Sequence, residues 1–341
     1  MKKSELRILM IGAGAIGGIT AAMMKEKDYD VTLVSKYPEL AKSIREKGLH
    51  IFGHCGNRYV QLQAVSTIDE LSGKFDVVFI ATKTNDMPEA AEKVRPLLAP
   101  GSRVVSMQNG IAEEKLAGIV GIERTVGCVV GFGATMVEPG ELEMTSLGEM
   151  LVGYLDREGD PILSEIAGML NAVVPTATTG NILSHLYSKL IINAASSTLG
   201  AITGLRLGKM LGNHRAYKIF MRIIEEAVEV ANAMNLQVVP YAGKLNWHKL
   251  VNGPRWKTWL MIRIVGIRYR RLKSSSLQSL ERGKKTEVDF FNGYIAGQGN
   301  SLGVPTPVND LLISMVHEIE AGKRSITPLN LRDESFNRLI K

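Results

Sequence analysis

Cysteine is almost missing from this chain, with two, Cys55 and Cys128, in 341 residues. They stand alone, without the paired spacing of a zinc or redox motif. A disulfide scaffold is therefore excluded as the organising device, no metal site is expected, and both thiols are read as reduced. No apolar run approaches the ~20 residues that a membrane span needs. The first eighteen residues, with two lysines ahead of an apolar stretch, look briefly like a signal peptide. Their apolar part, Ile8 to Ile11, is too short and runs straight into glycines, so a mature cytoplasmic start is expected. Internal repeats and low-complexity tracts are also missing.

Acid is absent from one particular stretch. Arg255, Lys257, Arg263, Arg268, Arg270, Arg271 and Lys273 fall within nineteen residues with no Asp or Glu among them. The formal net charge is +7, so without these seven cations the chain is neutral (7 − 7 = 0). Such a stretch suits an anion, a membrane surface or nucleic acid. The plainer reading, a solvated helix face with snorkelling stems, is the one expected here, with neither a membrane nor a nucleic-acid partner.

What is present is ordinary globular composition, 45% hydrophobic and 22% charged, in a chain long enough for two domains. Arg7 to Ile11 has the length of a buried strand and enters Gly12-Ala13-Gly14-Ala15-Ile16-Gly17-Gly18. Helical sequence follows from Ile16 to about Lys27, and Asp30 to Val34 makes a second strand. This is a βαβ unit around a G-x-G-x-x-G turn. Gly12 permits the tight turn, Gly14 lets backbone approach a pyrophosphate, and Gly17 lets helix and strand pack closely. The helix N-terminus presents N–H groups and its positive end to phosphates.

An Asp or Glu at the end of the second strand would take the ribose hydroxyls of NAD. Ser35-Lys36 stands there instead, and a hydroxyl with a cation suits the 2′-phosphate of NADP. Tyr59 to Val65, Phe75 to Ala81 and Arg103 to Met107 read as further strands. Lys83 and Asn109 follow two of them, at strand ends where ligands bind in open parallel sheets. Arg124 to Phe132, Glu141 to Thr145 and Met150 to Gly153 read as more strands, some antiparallel. The fold class is therefore an α/β N-terminal Rossmann domain, doubly wound and mostly parallel, over residues 1–179. An all-α domain for substrate and dimerisation occupies 180–341.

Helical sequence runs over Ile182 to Thr198, Tyr217 to Met234, Ser276 to Leu302 and Asn309 to Ile319. In the first of these, Lys189, Asn193 and Ser197 recur at i, i+4 and i+8, a polar stripe on an otherwise apolar helix. A buried lysine is costly without a partner or a purpose. Glu287 shares a helix face with Phe291 and Tyr294. It is a candidate partner for a lysine or a residue of a helix N-terminus.

These pieces resemble the ketopantoate reductases (2-dehydropantoate 2-reductases). The matching segments are GAGAIGG, Lys83, Gln108-Asn109-Gly110, Lys189-Leu190-x-x-Asn193, Ser275-x-Leu277-Gln278 through Glu281-Arg282-Gly283, Thr286-Glu287-Val288-Asp289, Asn292-Gly293 and the run Leu302 to Asn309. The resemblance implies NADPH-dependent reduction of a 2-oxo acid to a 2-hydroxy acid in pantothenate synthesis, by a homodimer. It implies Lys189 as general acid, Glu287 as the active-site glutamate, and Asn193, Ser275 and Asn109 holding substrate or nicotinamide, with Ser197 falling on the expected substrate face. The expected cofactor-binding residues, from the glycine turn, the strand ends and the resemblance together, are Gly12, Ala13, Gly14, Ala15, Ile16, Gly17, Ser35, Lys36, Lys83, Asn109 and Glu287. Two departures bear on the substrate: Ser197 stands where the family often has a second asparagine, and Ser279 where it often has aspartate. The alternatives are a reductase of the same family for another branched or aromatic 2-oxo acid, and a non-catalytic dinucleotide-binding regulator.

Overall fold

The computed structural model describes residues 6–268 and 270–340. The chain divides between Leu183 and Ser184 into two compact units.

The first unit comprises β1 (Arg7–Ile11), α1 (Ala15–Lys25), β2 (Asp30–Val34), α2 (Pro38–Glu46), β3 (Leu49–Gly53), β4 (Arg58–Val60), β5 (Gln63–Val65), β6 (Phe75–Ile80), α3 (Met87–Val94), β7 (Leu98–Ser106), α4 (Glu113–Val120), β8 (Thr125–Val130), β9 (Gly133–Glu138), β10 (Glu141–Ser146), β11 (Met150–Tyr154), α5 (Pro161–Leu170) and β12 (Thr176–Thr178). Eight strands form one sheet in the order β12-β11-β8-β7-β6-β1-β2-β5, and four form a second in the order β4-β3-β10-β9. From β5 to β8 the large sheet is parallel, and β11 turns antiparallel against β8. β1, β6 and β7 read as near-continuous apolar runs because both faces of a parallel sheet are covered. Ile8, Leu9, Met10, Val77, Val78 and Phe79 are fully buried.

The order places β1 beside both β2 and β6. The winding reverses there, which makes the carboxyl ends of β1 and β6 the place for a ligand. One expected strand divides. Tyr59 to Val65 alternates throughout, yet β4 joins the small sheet while β5 joins the edge of the large one. The side-chain period of two survives the bend at Gln61-Leu62, so sequence alone does not show the change of partner.

The second unit comprises α6 (Ile182–Thr203, beginning just before the division), α7 (Leu207–Gly212), α8 (His214–Ala233), α9 (Trp247–Asn252), α10 (Arg255–Arg268), α11 (Ser275–Glu281), α12 (Val288–Leu302), α13 (Pro307–Glu320) and α14 (Ser335–Leu339). The expected continuous pattern from Ser276 to Leu302 is broken. α11 ends at Glu281, and Gly283 follows at φ +64°, a left-handed position that glycine takes without strain. The break puts Glu287 at the N-cap position of α12.

A buried chain of polar side chains ties four of these helices together. Glu226 of α8, 1% exposed, accepts from the Val308 and Asn309 N–H groups at the start of α13 (3.0 Å each) and from the Asn309 amide (2.7 Å). Asn309 Oδ1 accepts from Asn292 Nδ2 of α12 (2.9 Å), and Asn292 Oδ1 accepts from the Thr198 hydroxyl of α6. The carboxylate satisfies orphan donors of a helix N-terminus and meets its positive end. Burial nevertheless pushes the Glu226 carboxyl upward, against these hydrogen bonds. Asn292→Ala strands buried groups on both Thr198 and Asn309. It is expected to cost on the order of 2–4 kcal/mol, read as a lowered urea midpoint, whereas an exposed helix position such as Glu229→Ala stays near parental.

Candidate functional site

The two units contribute separate groups of side chains. In the first, hydrogen bonds at the carboxyl ends of the parallel strands run past the strands themselves. Gly12 N–H donates to Val34 O (3.0 Å), Ser35 N–H to Val65 O (2.9 Å), Ala81 N–H to Ile11 O (2.8 Å) and Met107 N–H to Ile80 O (2.9 Å). This brings Gly12, Ser35, Thr82-Lys83 and Gln108-Asn109 to one edge. The Thr84 hydroxyl donates to Asn109 O (3.1 Å) and clips the last two loops together. Lys83 is exposed and Asn109 half-buried.

The glycines behave as their spacing implies. Gly12 has φ +115°, and a Cβ there would lie 2.8 Å from the Ala81 carbonyl. A Cβ on Gly17 would strike Gly12 O at 2.2 Å. A Cβ on Gly14 would meet no protein atom within 4 Å, and Gly14 is the extended N-cap of α1 with no side chain to cap it. The cradle that a side chain would fill thus lies at a helix N-terminus whose first N–H groups have no partner within the helix, which suits a pyrophosphate. Ala13 is buried, and Ala15 and Ile16 are half-buried at the start of the helix.

At the end of β2, the Ser35 side chain is buried and its hydroxyl lies 3.4 Å from the Tyr37 backbone. Lys36 is exposed and pairs with Asp86 at 3.0 Å, which raises its ammonium pKa through the hydrogen bond. Of the two residues, Lys36 has the reach for a ribose phosphate, with Asp86 as its resident partner.

One group at this edge escaped sequence reasoning. Glu113, the first residue of α4, is fully buried, and neither carboxylate oxygen has a hydrogen-bond partner among the described residues. The nearby Ser106 hydroxyl is 2.7 Å from Gln108 Oε1 and donates there, while Gln108 Nε2 reaches toward Thr82 Oγ1 at 3.4 Å. Burial pushes the Glu113 carboxyl from the ordinary 4.5 to about 7. The signal was available: Glu113, Leu116 and Val120 form one buried stripe at i, i+3 and i+7.

In the second unit, two anchors set the rotation of α6. The Tyr187 hydroxyl donates to Ala227 O of α8 (2.8 Å), and Trp247 Nε1 of α9 donates to the Ser188 hydroxyl (2.8 Å). Neither anchor is legible from helical periodicity alone. Lys189 and Asn193 are half-buried, and Ser197 is buried. Asn193 Nδ2 is buried without a hydrogen-bond partner among the described residues. Ser275, on the first turn of α11, brings its hydroxyl to 3.3 Å from that of Ser197. The Ser274 hydroxyl donates to Ser197 O at 3.3 Å, and this approach is open because Gly200 has no Cβ. Glu287 is 5% exposed, and its side chain does not cap α12. Tyr294, on the Glu287 face of α12, meets Tyr187 edge-on at 6.3 Å. The unit thus gathers the lysine–asparagine–serine stripe with Ser275, and sets the Glu287 face of α12 against α6.

Known proteins match this arrangement. The family model for ketopantoate reductase PanE/ApbA matches residues 8–157, and the model for its C-terminal part matches residues 181–320. The chain belongs to the ketopantoate reductase family. It is an oxidoreductase of that family. It is 28% identical to a 2-dehydropantoate 2-reductase of Pyrococcus abyssi over 93% of this chain and 98% of that one. An Archaeoglobus fulgidus enzyme of the same name is 26% identical, with 93% and 98% covered. The crystal structure of a family member from Ralstonia eutropha is similar, with TM-score 0.80, 27% identity, and 93% and 99% of the two chains covered. A D-mandelate dehydrogenase solved with NADH and anilino(oxo)acetate shares the fold, with TM-score 0.79, 21% identity, and 93% and 99% covered.

Two variants check the first-unit edge of this reductase. Gly14→Ala places a methyl in open space on backbone any residue adopts (φ −74°). It is expected to melt close to the parent while dinucleotide affinity, titrated by fluorescence, falls roughly tenfold or more. Glu113 binds its proton more tightly folded than unfolded. Its stabilising contribution is therefore full below the ordinary 4.5 and is lost as pH rises through about 7. Glu113→Gln removes that loss, so its melting temperature should gain on the parent's from about pH 5 to about pH 8. A pH-independent difference would contradict the assignment.

Proposed function

We propose that this chain reduces 2-dehydropantoate (ketopantoate) to pantoate with NADPH, in the supply of pantothenate, the coenzyme A precursor. The observation that carries the reading is the Lys189–Asn193–Ser197 stripe, with Ser275 against Ser197 and an amide donor on Asn193 that is buried and unmatched. Ammonium, amide and hydroxyl groups on one face are what a small anionic oxo acid requires.

A reduced nicotinamide, when bound, would supply hydride chemistry. Lys189 stands to donate its Nζ proton to the ketone oxygen as negative charge builds there, and its positive charge stabilises that oxygen beforehand. Asn193 and Ser275 orient the substrate by hydrogen bonds. Glu287, buried at the N-cap of α12, holds the lysine or takes a substrate hydroxyl. The main chain of Gly12–Gly17 would hold the pyrophosphate, Lys83 and Asn109 would flank the cofactor at the strand ends, and Lys36 would take the 2′-phosphate. For that, Lys36 must share or leave its pairing with Asp86.

A second reading keeps this chemistry with another branched or aromatic 2-oxo acid. Ser197 favours it, because it is short, buried and engaged with Ser275, which shortens the reach of the stripe relative to asparagine. Oxidation of NADPH, and separately of NADH, against ketopantoate, 2-oxoisovalerate, 2-oxoisocaproate, phenylpyruvate and pyruvate separates the two. Preference for ketopantoate with NADPH is the expected result, and preference for another acid selects the second reading. Lys189→Ala should lower kcat by roughly 10²–10⁴-fold with NADPH binding kept. Turnover near the parental value would remove Lys189 from the mechanism.

A further inference from the structure

α10 and the segment after it have no part in the reductase chemistry. Thr258, Ile262 and Gly266 are the buried residues of the helix; the Thr258 hydroxyl donates to Leu250 O of α9 (3.2 Å), and Gly266 permits the close approach to α7. A Cβ on Gly208 would lie 2.6 Å from Arg270 Cα, and one on Gly266 would lie 3.1 Å from Leu211 Cβ. The opposite face is also apolar. Trp256 (66% exposed), Trp259, Leu260, Ile264 and Ile267 (66% exposed) recur every three or four residues on the outside. Between the cations the helix thus carries apolar side chains on two faces, and α7 and α9 cover only one of them. The expected solvated face accounts for the cations of this stretch but not for these side chains.

Beside the stripe lies a cavity of about 550 Å³ lined by Arg206, Lys209, Arg263, Arg270 and Arg271, with Ile267 shared between cavity and stripe. Among the described residues none of these five cations pairs with a carboxylate. Arg263 donates only to Gly212 O (3.0 Å) and lies over the Trp259 ring. Lys273, in contrast, is paired with Glu281.

Three occupants are conceivable for such a face, and charge separates them. In a two-fold pairing of copies this patch would meet itself, doubling an acid-free field of like charge. A nucleic-acid backbone would use the arginines but leave two tryptophans, two isoleucines and a leucine against phosphate and water. An anionic lipid surface uses both, with headgroup phosphates at the arginine cavity and the tryptophan–isoleucine stripe at the acyl boundary. No helix of the described residues is long and apolar enough to cross a membrane, so this would be surface attachment. We propose that α10 with Arg270 and Arg271 is a docking surface for anionic phospholipid membranes, which revises the expectation of no membrane partner.

The test is sedimentation of the full-length protein with vesicles of phosphatidylcholine containing about one third phosphatidylglycerol, against pure phosphatidylcholine. Intrinsic fluorescence is read in parallel, since Trp247 is buried and Trp256 and Trp259 are exposed. The protein is expected to bind the anionic vesicles only, with a blue shift, and to be released by salt. Each cation near such a surface is worth about fivefold in partition, so Arg270→Gln/Arg271→Gln should lose on the order of 25-fold. Trp256→Ser/Ile264→Ser should abolish the blue shift while the fold, judged by circular dichroism, is retained. No sedimentation with anionic vesicles at low salt overturns the proposal, as does binding that survives both double variants. Displacement from the vesicles by inorganic pyrophosphate at low ionic strength would assign the cavity to a soluble phosphate instead. A dimer, measured by light scattering, that Trp256→Ser/Ile264→Ser dissociates would assign the face to a second copy. Tighter binding to duplex DNA than to the vesicles would assign it to nucleic acid. Reductase activity enters none of these readouts, so the outcome is independent of the substrate.

Discussion

The helical unit depends on a carboxylate that is expensive to bury. Glu226 lies in the core of that unit and is held by backbone and side-chain donors of α13. From there the polar chain passes through Asn309 and Asn292 to Thr198, so that α8, α13, α12 and α6 share one hydrogen-bonded register. Apolar packing alone tolerates small slides of one helix along another, whereas a fully matched buried polar network does not, because a slip strands every member at once. The same α6 carries the Lys189 stripe, and the same α12 begins at Glu287. Placement of the Lys189 stripe and of Glu287 is therefore inherited from a network of which neither is a member.

The first unit reaches comparable order by a different route. Its positions come from the parallel sheet, in which the residue after each of β1, β2, β6 and β7 donates to a carbonyl of the neighbouring strand. Asn109 and Lys83 are located by hydrogen bonds one residue beyond a strand, and the loops have little freedom left.

Much of this was legible in the residues. The strands β1, β2 and β6 show as apolar runs, the glycine turn as a spacing, and the Lys189–Asn193–Ser197 stripe as a period of four. What was not legible depends on partners distant in sequence. Tyr59 to Val65 alternates without a break and still changes sheets at Leu62, because alternation reports which side is buried and not by what. Glu226 looks like any helical glutamate until α13 is brought to it. Glu113 was half legible, since it shares a buried stripe with Leu116 and Val120, although a charged residue in a first helical turn is ordinarily read as favouring the helix end. The contact of Ser197 with Ser275 bridges 78 positions and follows from no local pattern.

The paired glycines at the start of α1 carry a consequence for how the chain can diverge. Gly17 is pressed against the Gly12 carbonyl and Ala81. On Gly18 a Cβ would come within 2.4 Å of Leu142 in the second sheet. The Gly17 contact cannot be loosened gradually, since the first added methyl strikes backbone, whereas at Gly18 it meets only the movable end of the Leu142 side chain. Under the proposed function, a lineage shifting between dinucleotides would find the glycine turn closed to drift. It would have to change at the far end instead, in the few exposed residues around Lys36 and Asp86, where substitutions disturb no core. Selectivity is in this sense evolvable because the phosphate anchor is not.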